Sequence, residues 1–247
     1  MKALILNSGL GSRMGALTSV HPKCMTEISE RETILSRQLR LLSDAGIKNI
    51  VITTGLFDTV LVEYCESLEL SLHYNFINNP RYRETNYIYS IYCARNYLDD
   101  DLILMHGDLV FDPEVLKMVI HSAKSCMAVS STLPLPEKDF KAVIKDGMVQ
   151  KVGIEFFENA VEAQALYHLR REDWLVWLGK ITEFCISGKT DVYAENALNA
   201  LNGAANIFAL DVRELLCAEI DNPEDLVAVQ TKMKQIEALT EIKISHG

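Results

Sequence analysis

The sequence predicts an α/β protein in which a mostly parallel sheet is covered by helices, and three observations carry that reading. Short apolar runs alternate with amphipathic helical stretches through the first half of the chain. The first of these runs, Ala3 to Leu6, opens directly into a loop carrying Gly9, Gly11 and Gly15, as a buried strand does where it ends at a ligand crevice. Beyond Lys141 the rhythm changes to a hairpin and then helices, with no low-complexity linker or repeat between. A chain of 247 residues can bury a substantial core, so residues 1–247 read as one domain with a distinct lobe, 139–205, inside it.

Taken in order, the Ala3 to Leu6 strand leads into glycines that let the backbone approach a bulky anion. Arg13 is a fixed positive fork within that loop, and Lys23, after Pro22, delivers a second cation to the same ligand. Polyphosphate chemistry is the first hypothesis. The spacing G-x-G-x-R departs from the dinucleotide fingerprint, and Lys23 does not sit in a P-loop motif, which weakens both of those alternatives. Ile34, Leu35, Leu39 and Leu42 then mark one helix face, stopped by Gly46 before a strand from Asn49 to Thr53. Val60, Leu61, Tyr64 and Leu68 predict a second helix, followed by a strand from Leu72 to Ile77.

Asp101 to Met105 repeats the strand pattern and ends at His106-Gly107-Asp108. Lys141 to Lys145 and Met148 to Gly153 flank Asp146-Gly147, a pair suited to a tight hairpin turn. A long helix holds Trp174, Trp177, Leu178 and Ile181, and another spans Ala194 to Leu201. The last segment, Pro223 to Leu239, starts as a helix should, with proline and the early acids Glu224 and Asp225.

A net charge of −10 argues against general nucleic-acid binding. The chain has neither an apolar run able to span a bilayer nor an N-terminal secretory pattern, so the expectation is a cytoplasmic protein without a membrane partner. Its six cysteines are scattered, without C-x-x-C, and read as reduced apolar side chains rather than a zinc site.

Asp108 and Asp221 are far apart in sequence, yet each follows a strand-like run, and a sheet can bring such ends together. Two carboxylates can hold a hard divalent cation, Mg²⁺, against a nucleotide phosphate. Arg13 would then hold a departing pyrophosphate while Lys23 neutralises oxygens at the reacting phosphorus, making these two the catalytic pair. His21 and His106 read as positioning and packing residues, because a phosphate nucleophile is already anionic.

With these residues in place, LNSGLGSRMG at 6–15, HPK at 21–23, MHGD at 105–108 and EIDNPEDL at 219–226 resemble the signature segments of sugar-phosphate-type nucleotidyltransferases. TNYIYSIYCA at 85–94 and the length resemble their small-molecule branch, the phosphocholine and 2-aminoethylphosphonate cytidylyltransferases. The resemblance implies a GT-A-like (Rossmann-like) nucleotidyltransferase fold, a mixed but mostly parallel central sheet flanked by helices, CTP and Mg²⁺ as reactants, and release of pyrophosphate. Carried onto this chain, the nucleotide contacts are Leu6, Asn7, Ser8, Gly9, Gly11, Arg13, Lys23, Asn86, Ser90 and Asp108, and the metal ligands are Asp108 and Asp221. Asn7-Ser8 stands where many sugar nucleotidyltransferases have Ala-Ala or Ala-Gly.

For the acceptor, Lys141 and Lys151 flank the hairpin and could reach a phosphonate, while Glu155 and Glu195 could receive an ammonium. Tyr87, Tyr89 and Tyr92 admit core, interface or cation-cage roles. QKVGIEFF at 150–157 is similar to phosphonate cytidylyltransferases and favours 2-aminoethylphosphonate, in phosphonate biosynthesis, over phosphocholine. A sugar-phosphate nucleotidyltransferase and a nucleotide-sensing domain without turnover are the remaining readings. Self-association through Tyr89 and Tyr92, or fusion to a further enzymatic domain, stays open, and EIKISHG after Leu239 fits either a native tail or excision from a longer chain.

Overall fold

The strand KALIL (β1, Lys2–Leu6) is buried along its last four residues and lies between two parallel neighbours, with Ile5 opposite both Ile52 and Met105. A computed structural model describes residues 1–245; of the terminal segment, His246 and Gly247 lie outside the described residues. After the glycine loop come α1 (Ile34–Asp44), β2 (Asn49–Thr54), α2 (Asp58–Ser67), β3 (His73–Asn78), α3 (Tyr87–Ala94) and β4 (Leu102–His106). This half follows the predicted alternation because each apolar run is short and two of its three α-helices, α1 and α3, begin at a side-chain cap. Thr33 caps α1 by accepting from Ser36 N, and Asn86 caps α3 by accepting from Tyr87 N.

The chain continues through β5 (Leu109–Phe111), α4 (Pro113–Ile120), β6 (Cys126–Ser130), β7 (Lys141–Lys145), β8 (Met148–Gly153) and β9 (Ala160–Leu169). It ends with α5 (Arg171–Ile186), α6 (Ala194–Asn199), β10 (Phe208–Asp211), β11 (Cys217–Glu219) and α7 (Pro223–Ser245). The predicted hairpin is present as β7 and β8, with Asp146 and Gly147 both left-handed at φ 53° and 75°. No helix among the described residues is long and apolar enough to cross a membrane.

The expectation of a mostly parallel sheet is overturned. The nine strands run in the order β3-β2-β1-β4-β9-β6-β10-β8-β7. Only β1–β2, β2–β3, β1–β4 and β6–β10 pair parallel, while β4–β9, β6–β9, β7–β8, β7–β9 and β8–β10 pair antiparallel. The cause is β9, a ten-residue strand that enters from the hairpin rather than across a helix, and so runs against both β4 and β6. Its first residues also pair with β7, which closes β9, β6, β10, β8 and β7 into a barrel. What remains of the expected architecture is an α/β fold whose continuous parallel part, β3-β2-β1-β4, ends at β4, with β6–β10 the one parallel pair beyond it.

Two apolar layers cover the sheet. One packs α1, α2 and α4 through Leu35, Leu39, Leu61 and Val115; the other packs α3, α5 and α6 through Ile88, Ile91, Trp174 and Trp177. The tryptophans are core residues, their indole N–H groups donating to the Leu98 and Ala194 carbonyls at 2.9 Å. A third cluster joins Met14 of the glycine loop to Ile220, Val229 and Met233, and so anchors the loop beside the start of α7. Burying a side chain such as Met14 contributes about 1.5–3 kcal/mol. All six cysteines are free, and all but Cys93 are buried.

Closure of the barrel leaves one acid in a poor position. Glu162 on β9 has a buried Oε2 without a partner, and burial, with Asp139's charge adding to it, pushes its carboxyl from the ordinary 4.5 to about 6. The folded chain therefore holds this proton more tightly than the unfolded one, so stability declines as pH rises from about 4.5 through about 6. Glu162→Gln is expected to remove that slope and to gain roughly 1–2 kcal/mol at pH 7. Urea denaturation of both proteins across pH 4.5–7 checks it.

Candidate active site

Two adjacent parallel strands end at the same level, and their ends carry the site. Leu6 of β1 lies in register with His106 of β4, and Gly107 N donates to the Leu6 carbonyl at 3.0 Å. The 106–109 turn is held from beneath by Gln38 of α1, whose buried amide donates to the His106 carbonyl at 2.9 Å and the Leu109 carbonyl at 2.8 Å. Beyond it, β5 and β11 form a small antiparallel pair, and Ile220 N donates to the Asp108 carbonyl at 3.0 Å. That pairing brings residue 221 beside residue 108. Asp221 N and Asn222 N in turn donate to Asp225 Oδ2 as the chain enters α7.

The charged groups converge there. Lys23 Nζ lies 2.5 Å from Asp108 Oδ2 and 2.7 Å from Asp221 Oδ1, and Arg13 Nη2 lies 2.9 Å from Asp221 Oδ1. Lys23, Asp108 and Asp221 are largely buried, whereas the Arg13 side chain is 66% exposed. Burial alone would lower the Lys23 pKa, but the Asp108 and Asp221 carboxylates prevail and hold the ammonium above its ordinary range. Burial likewise works to raise Asp108, and the charges of Lys23 and His106 prevail, keeping it below the usual carboxylate value. His106 Nδ1 meets Glu219 Oε1 at 2.7 Å; against burial, that carboxylate lifts the imidazole to about 9.

A metal ion could be received here. His106, Asp108 and Glu219 each offer a ligand atom within 4.8 Å of the others, and Asp108 Oδ1 is buried without a partner. Asp221 is not part of that trio and reaches Asp108 through Lys23. A carboxylate-rich donor set of this kind suits a hard cation.

Three cavities surround Asp108. One of about 270 Å³ is lined by Asn7, Gly11, Arg13, Lys23 and Asp221. A second, about 490 Å³, is lined by Ser8, Asn79, Asn86, Tyr87 and Ser90. The third, about 340 Å³, has an aromatic wall of Tyr87, Phe140 and Tyr193 with Asp139 and Glu219 at its edge. Tyr193 packs edge-on to Phe140 at 5.0 Å, and Tyr87 lies 4.7 Å from the His106 ring.

The structure thus gathers Leu6, Asn7, Ser8, Gly9, Gly11, Arg13, Lys23, Asn86, Ser90, Asp108 and Asp221 around one cleft. The four residues expected at the acceptor do not line it. Lys141 is fully buried, its ammonium donating to the Pro136 carbonyl at 2.6 Å under the Phe157 ring, so it is a structural cation and cannot reach a phosphonate. Lys151 and Glu155 are exposed, on β8 and just after it, and Glu195 is buried behind Tyr87, accepting from the Tyr87 and Tyr167 hydroxyls. Tyr89 and Tyr92 stack on one another beside Arg81 and Arg95 rather than at the cleft.

Sequence reasoning missed Glu219, Asn79, Asp139, Phe140 and Tyr193. For Glu219 a signal existed, since it opens the acidic EIDNPEDL segment that carries Asp221 two residues later. Phe140 and Tyr193 carry no local signal.

Comparison with known proteins agrees with this layout. The family model of the MobA-like NTP transferase domain matches residues 3–136. The chain is 28% identical over 239 residues to a CMP-5'-(3-aminopropyl)phosphonate synthase of Streptomyces rubellomurinus, covering 91% of this chain and 37% of that protein. It is 38% identical over 115 residues to a choline-phosphate cytidylyltransferase of Haemophilus influenzae, covering 47% of each. It therefore spans less than half the length of these two relatives in alignment. The CTP:phosphocholine cytidylyltransferase structure from Streptococcus pneumoniae superposes with a TM-score of 0.72 at 19% identity, covering 94% of this chain and 98% of that one, which shows a common fold.

The charge cluster makes a stability prediction. Lys23→Met leaves Asp108 and Asp221 facing each other in a mostly buried setting, a loss of roughly 1–3 kcal/mol. Adding Asp221→Asn to that variant removes the repulsion, so urea denaturation should show the double variant more stable than Lys23→Met alone.

Proposed function

The chain belongs to the MobA-like NTP transferase domain family, and from that premise we propose that it transfers a cytidylyl group from CTP to a small acceptor bearing a phosphate or phosphonate at one end and an ammonium at the other. One observation carries the reading: a cavity lined by Arg13 and Lys23 adjoins a cavity walled by Tyr87, Phe140 and Tyr193, and Arg13, Asp108 and Asp221 line both. The first has the charge to receive a triphosphate, and the second has the aromatic faces and carboxylates that an ammonium group seeks.

In this reading Arg13 holds the departing pyrophosphate and Lys23 neutralises oxygens at the α-phosphorus, where charge builds in the transition state. The acceptor oxygen attacks in line, already anionic, so no general base is needed, and His106, paired with Glu219, serves to shape the wall. Asp108, with Asp221 and Glu219 at hand, would hold Mg²⁺, which when bound supplies charge neutralisation along the phosphates. Residues 139–205 form the acceptor lobe of a single nucleotidyltransferase domain, contributing Asp139, Phe140, Ile154 and Tyr193 to the third cavity. Unpaired cysteines fit a cytoplasmic setting.

Phosphocholine is the acceptor the reading favours. The aromatic wall suits a trimethylammonium group, and both a relative and a fold neighbour are named for choline-phosphate chemistry. 2-Aminoethylphosphonate is the second reading, supported by the relative named for an aminopropylphosphonate product and by the acids Asp139 and Glu219.

Pyrophosphate release, measured for CTP, UTP, ATP and dTTP against phosphocholine, 2-aminoethylphosphonate, phosphoethanolamine and glucose 1-phosphate, tests both donor and acceptor. Turnover is expected with CTP and phosphocholine; CTP binding without metal-dependent pyrophosphate release for any acceptor would leave a nucleotide-sensing domain instead. Lys23→Ala should lower kcat by about 10²-fold or more with a smaller effect on the CTP KM. Tyr193→Ala should raise the acceptor KM about tenfold and leave the CTP KM in place.

A further inference from the structure

Glu195 sits behind the aromatic wall and lines none of the three cavities around Asp108. It is 2% exposed, and it accepts from two phenols, the Tyr167 hydroxyl at 2.8 Å on Oε1 and the Tyr87 hydroxyl on Oε2. Among the described residues no lysine, arginine or histidine forms an ion pair with it. His106, the ionisable ring of the same wall, is already paired with Glu219. The two phenols satisfy the carboxylate's lone pairs but leave its charge unopposed, an arrangement that is costly to a fold. Burial, with the Glu195 charge adding to it, pushes both phenols well above the ordinary tyrosine range and so keeps them as donors.

A second observation is where the Tyr87 ring leads. Its hydroxyl end meets Glu195, while the ring lies 4.7 Å from His106 and 5.9 Å from Tyr193, in the wall of the third cavity. One phenol ring therefore separates the buried carboxylate from that cavity. Glu195 also follows Tyr193 by two residues at the start of α6, so one short helix carries both the charge and another ring of the wall. A phenol that donates to a carboxylate is polarised by it, which makes the ring a better surface for a cation.

We propose that Glu195 is a specificity-determining residue that never touches the acceptor: through the Tyr87 hydroxyl it positions that ring and lends it negative charge, so that the cavity selects acceptors carrying a positive charge over neutral ones of the same shape. The inference rests on the acceptor reading above and holds for both acceptors named there, because a trimethylammonium and a primary ammonium share the charge. Glu195 thus acts on the ammonium through a ring, and not as the direct ligand that its residue type suggests.

Steady-state pyrophosphate release by wild type, Glu195→Gln and Tyr87→Phe tests it, with phosphocholine beside its neutral isostere 3,3-dimethylbutyl phosphate and 2-aminoethylphosphonate beside propylphosphonate. Wild type should show the lower KM for the cationic member of the pair it turns over. Glu195→Gln keeps the shape and removes the charge, so it should raise the KM of the cationic acceptor about tenfold and leave those of the neutral isostere and of CTP within about twofold. Tyr87→Phe keeps the ring and the carboxylate but cuts the hydrogen bond between them. It should raise the same KM about threefold, and it decides the matter if Glu195→Gln does not fold. Equal rises for cationic and neutral acceptors, the mark of a merely structural role, would overturn the proposal, as would a cationic-acceptor KM unchanged in both variants. Wild type that turns over neither pair, or that treats cationic and neutral members alike, removes the acceptor reading and this inference with it. Wild type that prefers the cation beside variants that prefer it equally removes this inference alone.

Discussion

The ammonium of Lys23 lies between two carboxylates that come from distant parts of the chain, and most of the site's construction serves to keep them there. Asp108 and Asp221 would repel one another without it, and each is largely withdrawn from water. The fold supplies three independent restraints. Gln38 pins the turn before Asp108, the β5–β11 pair joins that turn to the segment before Asp221, and Met14 packs the glycine loop against Ile220. Arg13 completes the cluster from the exposed side. A site whose like charges are held close by one cation is prepared to receive another polyvalent group, since the charges are already in position and little reorganisation remains.

The second feature of the molecule is the closure of its sheet. Strands β1 to β4 form the parallel half expected of alternating strands and helices, but β9 runs antiparallel into the middle and lets the hairpin fold back onto it. This places Phe140, just before β7, and Tyr193, just before α6, in ring contact with His106 and Tyr87, so that the four form one aromatic wall. The same closure buries Lys141 completely, so that its charge is used on the Pro136 carbonyl instead of a ligand. An aromatic-walled cavity adjoining the cavity of Lys23, the two sharing Arg13, Asp108 and Asp221, is the consequence.

The parallel half was legible because its signals are local. Apolar runs of strand length, the periodic leucines of α1 and the glycines after β1 each depend on a few consecutive residues. The Asp146-Gly147 turn was legible for the same reason, its two residues demanding positive φ. Strand β9 was not, since AVEAQALYHL has neither clean alternation nor a flanking glycine turn, and its neighbours lie far away in sequence. Among site residues, Arg13 and Asp108 stand out by chemistry beside glycines and Lys23 by following Pro22; Lys141 and Lys151 stood out equally, and nothing local separates a cation that is buried from one that faces a ligand.

By itself the sequence determined that this chain is α/β, that a glycine-bordered strand end carries Arg13 and Lys23, and that Asp108 ends a strand of the same kind. Backbone propensity and side-chain periodicity act over a few residues, so they can be read without a structure. Only the tertiary structure decided that β9 closes the sheet, that Glu219 and the aromatic wall join the site, and that Lys141 and Glu195 leave it. Those outcomes depend on which strands pair and which side chains lose water, and both are set by contacts between residues far apart along the chain.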